Sequence, residues 1–111
     1  MDPKETQKQR ITRVARELGP AIREQARGRW TGLRTAERNE PGRHVWRFRS
    51  GPGGSERFLH IEHRAMMRGK DPAARLLERL EAEQWLDRLH DGPETALLLS
   101  RDGQLAAFPA R

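Results

Sequence analysis

The stretch that decides the fold is RHVWRFRSGPGGSERFLHIEH, residues 43–63. Two runs that alternate between apolar and polar residues flank a glycine-rich loop, a pattern typical of two antiparallel strands joined as a hairpin. Successive side chains of a strand point to opposite faces, so the pairing register decides which residues share a face. The stretch therefore predicts a hairpin whose register can be chosen by comparing the faces it creates.

One register collects the large apolar side chains of the hairpin on a single face. If Trp46 lies opposite Leu59, then His44 lies opposite Ile61, and Phe48 joins them. A shift by one residue would instead mix Trp46 with a histidine and an arginine with Leu59. We predict the first register, because it separates an apolar face from a polar one.

The opposite face of that register is charged. It sets two arginines opposite glutamates and a third arginine over an aromatic ring: Arg49 with Glu56, Arg43 with Glu62, and Arg47 with Phe58. Opposite charges and cation–π contacts stabilise neighbouring strands. The arginines are therefore expected to have structural partners.

The glycine loop and the histidines do not form a recognisable site. A phosphate loop leads into a helix and carries lysine and a hydroxyl residue after its glycines, which GPGGS at a hairpin tip lacks. His60 and His63 lie three apart and point to opposite faces of a strand, while His44 and His63 share a face without a third ligand. We predict no nucleotide, metal or cofactor.

The sequence assigns no catalytic residues. Ser50, Ser55 and Ser100 do not lie in a nucleophile-elbow context, and Glu62 is a lone acid in a paired strand position. We therefore expect a protein without enzymatic activity.

Two helices are predicted on either side of this region. The first covers residues 3–28, capped by Asp2 with Pro3 and kinked near Pro20, with two helices in line as the alternative. Its apolar stripe occupies a sector of roughly 140°.

The second predicted helix covers residues 71–90, begins at Asp71 with Pro72 and ends before Gly92-Pro93. Its apolar stripe changes sides along its length. Either the helix breaks near Glu81, or its second half packs against another subunit.

The whole chain is predicted to form one α+β domain, residues 1–111. A three-stranded meander spans residues 30–67, and a hairpin with a two-residue turn at Asp102-Gly103 spans residues 95–109. The element order is α-β-β-β-α-β-β, with an antiparallel sheet and two helices mainly on one face. Core side chains are expected from both helices and three strands: Ile11, Val14, Leu18, Ile22, Trp46, Phe48, Leu59, Ile61, Leu76, Leu77, Leu80, Leu97 and Leu99.

The predicted order of helices and strands resembles the orders found in two protein families, and the resemblance is one of topology alone. The first ninety residues resemble a double-stranded-RNA-binding domain, and the full order is similar to type III secretion chaperones, which are dimeric protein binders. No motif supports either resemblance, and we assign no family.

Composition narrows the class of protein. The 111 residues carry a net charge of +6, contain no cysteine and are 34% hydrophobic. Disulfides and thiolate chemistry are excluded, and no apolar run approaches the roughly 18 residues of a membrane span. We expect a cytoplasmic protein with a small core that a partner or a second copy completes.

Positive charge is concentrated in the first half, where residues 1–50 hold 13 Lys and Arg and 6 Asp and Glu. On the first helix the charged face opposite the apolar stripe spans roughly 80°. We call it the arginine ridge: Arg13, Arg16, Arg23 and Arg27.

The sequence predicts a non-catalytic binding or regulatory module that acts through protein–protein contacts. A homodimer is one form in which these contacts would be made. Trp85, Leu86 and Leu89 are the expected interface. The alternative is a nucleic-acid-binding accessory protein that uses the arginine ridge for phosphate contacts.

Overall fold

The computed structural model describes residues 5–51, 55–92 and 94–108, which form one compact α+β domain. In chain order the elements are α1 Gln7–Arg27, β1 Leu33–Glu40, β2 Arg43–Ser50, β3 Glu56–Glu62, α2 His63–Met66, α3 Pro72–Ala82, α4 Trp85–His90, β4 Ala96–Leu99 and β5 Leu105–Ala107. The strands form one sheet in the order β1-β2-β3-β4-β5.

Helix α1 starts later than predicted and does not end at its proline. Thr6 caps it by accepting a hydrogen bond from the Gln9 amide, and the Gln9 side chain accepts one from the Thr6 amide, which completes a capping box. The helix continues through Pro20 as one element. The predicted cap at Asp2 and Pro3 lies outside the described residues.

The three-stranded meander is confirmed, and so is its register. Trp46 pairs with Leu59 and His44 with Ile61, both on the face that carries Phe48. Strand β1 pairs with β2 through a tight turn in which Gly42 has a φ of 82°. Alternation of side chains disfavours the register shifted by one residue, because that register would mix Arg47 with Leu59 on one face.

The charged contacts of the hairpin differ from those predicted. Arg49 and Glu56 are Cα partners, yet the ion pair to Glu56 comes from Arg47, at 3.4 Å. Nη2 of Arg43 lies 3.5 Å from Oε1 of Glu40, and the Arg43 guanidinium covers the ring of Phe108, the residue after β5. Long arginine side chains reach diagonal neighbours as easily as direct ones, so strand register does not decide their partners.

The predicted second helix is divided. Helix α3 ends at Ala82, Gln84 takes a left-handed conformation with φ of 56° and ψ of 48°, and α4 follows. The break turns the second apolar stripe towards the same core as the first, with Leu80 and Leu89 both fully buried. A short additional helix, α2, contributes Met66 to that core.

The sheet is mixed, which corrects the predicted antiparallel sheet. Strand β4 lies parallel to β3, with Phe58 opposite Ala96 and Ile61 opposite Leu99. Helices α2, α3 and α4 form the connection between these strands. A parallel neighbour needs such a long crossover, whereas a hairpin would have returned the chain in the opposite direction.

The final hairpin is confirmed, but its turn is longer than predicted. Strand β4 ends at Leu99 and β5 begins at Leu105. The Gly103 amide donates to the Ser100 carbonyl at 2.9 Å, and Gly103 has a φ of 80°, whereas Asp102 has no positive φ. This is a turn followed by a glycine bulge rather than a two-residue loop.

All four helices pack on one face of the sheet and share one core. Most of the predicted core residues are buried, but Ile11 and Leu77 are only partly buried at its margin. The opposite face of the sheet has no helix over it in the described ranges.

Candidate binding surfaces

A groove runs between α1 and the edge strand β1. Helix α1 packs against α3 and contacts β1, the strand at one edge of the sheet. The groove measures about 470 Å³. We call it the α1–β1 groove, and its lining comes from the helix and from two strands: Ile11, Thr12, Ala15, Arg16, Gly19, Pro20, Arg23, Glu37, Asn39 and His44.

An ion pair crosses the groove. The guanidinium of Arg23 bonds Oε2 of Glu37, and Oε1 of the same carboxylate lies 3.1 Å from Nε2 of His44. Gly19 lies directly beside this pair, and its lack of a side chain leaves room for it. Arg16 also lines the groove and forms no ion pair with a described carboxylate.

A second histidine lies at the end of the groove, bonded to β1. Nε2 of His63 lies 2.7 Å from Oδ1 of Asn39. Burial lowers the pKa of His63, and the nearby His44 lowers it further. His63 therefore serves as a neutral hydrogen-bonding group near neutral pH.

The outer edge of β1 has an unpaired row of backbone groups. The Gly51 amide donates to the Gly32 carbonyl, which fixes the even-numbered residues of β1 as those bonded to β2. The amides and carbonyls of Leu33, Thr35, Glu37 and Asn39 therefore point away from β2. No other described segment bonds them.

The face of the sheet without helices, which we call the open sheet face, is largely apolar at its centre. Its residues come from all five strands and from the residue that follows β5: Ala36, Val45, Phe58, His60, Ala96, Leu98, Ala106 and Phe108. Val45, His60 and Ala96 are buried by the longer side chains around them. An apolar sheet face with no layer over it is typical of an interaction surface.

Arginines surround this apolar centre. Strands β1 and β2 place five arginines on the face, and β1 and β3 place three glutamates there: Arg34, Arg38, Arg43, Arg47 and Arg49, with Glu40, Glu56 and Glu62. Arg38 and Arg47 are exposed and form surface ion pairs, at 2.5 Å with Glu40 and 3.4 Å with Glu56. Exposed pairs of this kind contribute little to stability.

A hollow of about 240 Å³ opens on the same face beside Phe58. Ala36 and Val45 form its small apolar base, the half-buried ring of Phe58 lines one side, and the charged residues Arg38, Arg47 and Glu37 complete the lining. An aromatic ring, a small apolar base and two cations are thus within reach of one planar ligand.

His60 is the buried polar residue of the open sheet face. Nε of Arg43 donates to its Nδ1 at 3.2 Å, and the ring lies 4.5 Å from that of Phe108, centre to centre. Burial lowers the pKa of His60, and the charge of Arg43 lowers it further. The Arg43 guanidinium also covers the Phe108 ring at 5.0 Å.

The structure divides the arginine ridge. Arg13 bonds Glu5 at 2.8 Å and Glu17 at 3.3 Å, and the bond from Arg13 to Glu5 lowers the pKa of the Glu5 carboxyl. Arg23 turns towards β1. The remaining two ridge arginines, Arg16 and Arg27, are exposed and form no ion pair with a described carboxylate.

The expected interface on the second helix needs correction. Trp85 is 1% exposed and Leu89 is 0% exposed, and both pack in the core of their own chain. The indole Nε1 of Trp85 donates to Oε1 of Gln25 in α1 at 3.0 Å. Leu86 lies partly buried beside them. The break at Gln84 turned these side chains inward, so Trp85 and Leu89 do not form a surface.

Within residues 5–51, 55–92 and 94–108, no group of three or more His, Cys, Asp or Glu residues is arranged to hold a metal ion. None of the helices in these ranges is long and apolar enough to cross a membrane. Comparisons with protein-family models, curated proteins and solved structures find no significant match to this chain.

Two features of these surfaces were missed from the sequence. The edge position of β1 depends on the order of strands, for which the sequence carries no local signal. The close contact at Gly19 did have a sequence signal, because a glycine within the apolar stripe of a helix marks a close approach of another group.

Proposed function

We propose that this protein is a non-catalytic binding module that acts through protein–protein contacts. An extended segment of the partner pairs with the outer edge of β1 and occupies the α1–β1 groove. The observation that carries this proposal is the unpaired row of backbone groups beside a groove lined by a helix. A free strand edge provides main-chain hydrogen bonds, and an adjacent groove provides side-chain specificity.

Charge indicates the kind of segment. Arg16 and Arg23 lie on the helix side of the groove, and only Arg23 is bonded to a carboxylate there. An acidic side chain of the incoming segment would bond Arg16 without displacing an existing pair. The partner is therefore a protein with an extended acidic segment. We place the interaction in the cytoplasm, because a chain without cysteine forms no disulfides and so does not depend on an oxidising compartment.

Hydrogen exchange followed by NMR tests the contact, with peptides of about 12 residues selected from a random library as the probe. In the free protein the amides of Thr35 and Glu37 should exchange quickly, because they point outward. Those of Ala36 and Arg38 should exchange slowly and serve as the internal control. Bound peptide should slow the first pair and leave the second unchanged.

Peptides that bind while the Thr35 and Glu37 amides still exchange quickly would contradict the proposal. The other candidate occupant of the edge is a second copy of the chain. In that case sedimentation equilibrium would show a dimer, and hydrogen exchange would show protection of the Thr35 and Glu37 amides that rises with protein concentration.

Nucleic-acid binding through the arginine ridge is the second candidate. It is supported by the exposure of Arg16 and Arg27, which form no ion pair with a described carboxylate, although Arg13 and Arg23 are engaged elsewhere. Two phosphate contacts give a log–log salt slope of about −2 on duplex DNA. The Arg16→Gln/Arg27→Gln variant should remove that dependence, and duplex binding that survives in the variant would reject the ridge.

A further inference from the structure

We propose that the open sheet face binds single-stranded nucleic acid, with one base in the hollow beside Phe58 and the adjoining phosphates against Arg38 and Arg47. This site lies on the face of the sheet opposite the helices, and its lining shares only Glu37 with the α1–β1 groove.

The hollow has the parts that a stacked base requires. Phe58 offers a half-buried ring, and the base of the hollow is made of two small apolar side chains, Ala36 and Val45. Every nucleobase has a flat π face, so an aromatic ring in a positive groove accepts bases with little sequence preference. The hollow measures about 240 Å³ and is partly open to solvent.

The surrounding charge fits a phosphate backbone. The face carries five arginines and three glutamates, and the ion pairs of Arg38 and Arg47 are exposed. Exchanging an exposed carboxylate for a phosphate costs little, since such pairs are weak and the guanidinium binds phosphate through two parallel hydrogen bonds.

The same charge disfavours a second copy as the occupant, because two faces of equal positive sign repel each other. A duplex is also a poor fit. Its bases are stacked and paired, and a sheet face presents neither a helix nor a ribbon that could enter a groove. A single strand can turn its bases towards the sheet.

Fluorescence anisotropy tests this proposal with labelled oligo-dT and oligo-U of about 12 nucleotides in about 50 mM salt. A duplex of the same length and poly-glutamate are the competing ligands. We expect single strands to bind more tightly than the duplex, with an affinity that falls as salt rises. Phe58→Leu keeps an apolar side chain but removes the ring, and should weaken binding at least about fivefold.

Charge variants complete the test. Arg38→Gln/Arg47→Gln should reduce the log–log salt slope on single strands by about 1.4. Arg64→Gln/Lys70→Gln removes the same charge from exposed positions elsewhere and should leave the affinity close to wild type. Circular dichroism and the melting temperature of each variant check that the fold is retained.

Several results would overturn the proposal. The first is failure of the wild type to bind either single strand, and the second is equal binding of the duplex. An unchanged affinity of Phe58→Leu, together with equal competition by poly-glutamate, would assign the face to an acidic protein. Equal weakening by the control pair would show that binding reflects net charge alone.

Discussion

Gly19 of α1 and Glu37 of β1 approach so closely that a β-carbon at position 19 would lie 2.9 Å from the Glu37 carboxylate oxygen Oε2. It would lie equally close to a guanidinium nitrogen of Arg23. The ion pair between Arg23 and Glu37 therefore packs directly on the helix backbone. This contact joins α1 to the edge strand at the α1–β1 groove.

Replacing Gly19 with alanine should reveal that contact. Alanine in place of glycine inside a helix usually stabilises by about 0.5–1 kcal/mol. We expect Gly19→Ala to lose that gain, because the Arg23–Glu37 pair must move to admit the methyl group. In a Glu37→Ala background the same change should recover the full gain in the free energy of urea unfolding. Equal effects in the two backgrounds would contradict the contact.

Two leucines of α3 should differ in their contribution to stability. Leu80 is fully buried, whereas Leu77 packs at the margin of the core. Leu80→Ala is expected to reduce the free energy of unfolding by about 2–5 kcal/mol. Leu77→Ala should cost about half as much, roughly 1–2 kcal/mol. Equal losses in denaturant unfolding would mean that the helix is rotated from the position described.

Stability should depend on pH through His60 and His63. The pKa of each lies below its ordinary value in the folded protein, chiefly because burial disfavours the charged ring. The unfolded chain therefore binds more protons just below pH of about 6.5, so acidification through that region should destabilise the fold. The carboxyls with lowered pKa, Glu5 and Asp91, add their destabilisation only at more acidic pH.

His60→Gln isolates one part of this dependence, because glutamine still offers an acceptor to Arg43. Thermal unfolding between about pH 5 and 7.5 should show a shallower slope in the variant. The His60→Gln/His63→Gln double variant should be shallower again. A wild-type protein whose melting temperature is constant over this range would contradict the prediction.

The left-handed conformation of Gln84 predicts a stabilising substitution. A residue with a β-carbon loses roughly 1–2 kcal/mol in this conformation, whereas glycine adopts it freely. Gln84→Gly should therefore raise the free energy of unfolding by about 1 kcal/mol. Glu78→Gly, at an exposed position inside α3, is the control and should lower it by a similar amount. A loss of stability in Gln84→Gly would argue that the helix does not break there.

The sequence by itself determined the meander and the register of its hairpin. The pairing of Trp46 with Leu59 was chosen from side-chain alternation, a property of the local chain, because the register shifted by one residue would mix charged and apolar side chains on one face. The buried stripe of α1 and the cap of α3 at Asp71 were predictable for the same reason. Each depends on residues that are near in sequence or joined by one turn.

The tertiary structure alone decided the rest, including both candidate surfaces. Whether β4 joins β3 as a parallel or an antiparallel neighbour depends on the path of three intervening helices. Likewise, the break at Gln84 occurs because turning Leu89 into the common core stabilises more than one left-handed residue costs. The free edge of β1 and the open sheet face are what remains uncovered once those helices have packed. Their positions depend on the packing of the whole domain, which no local pattern of residues encodes.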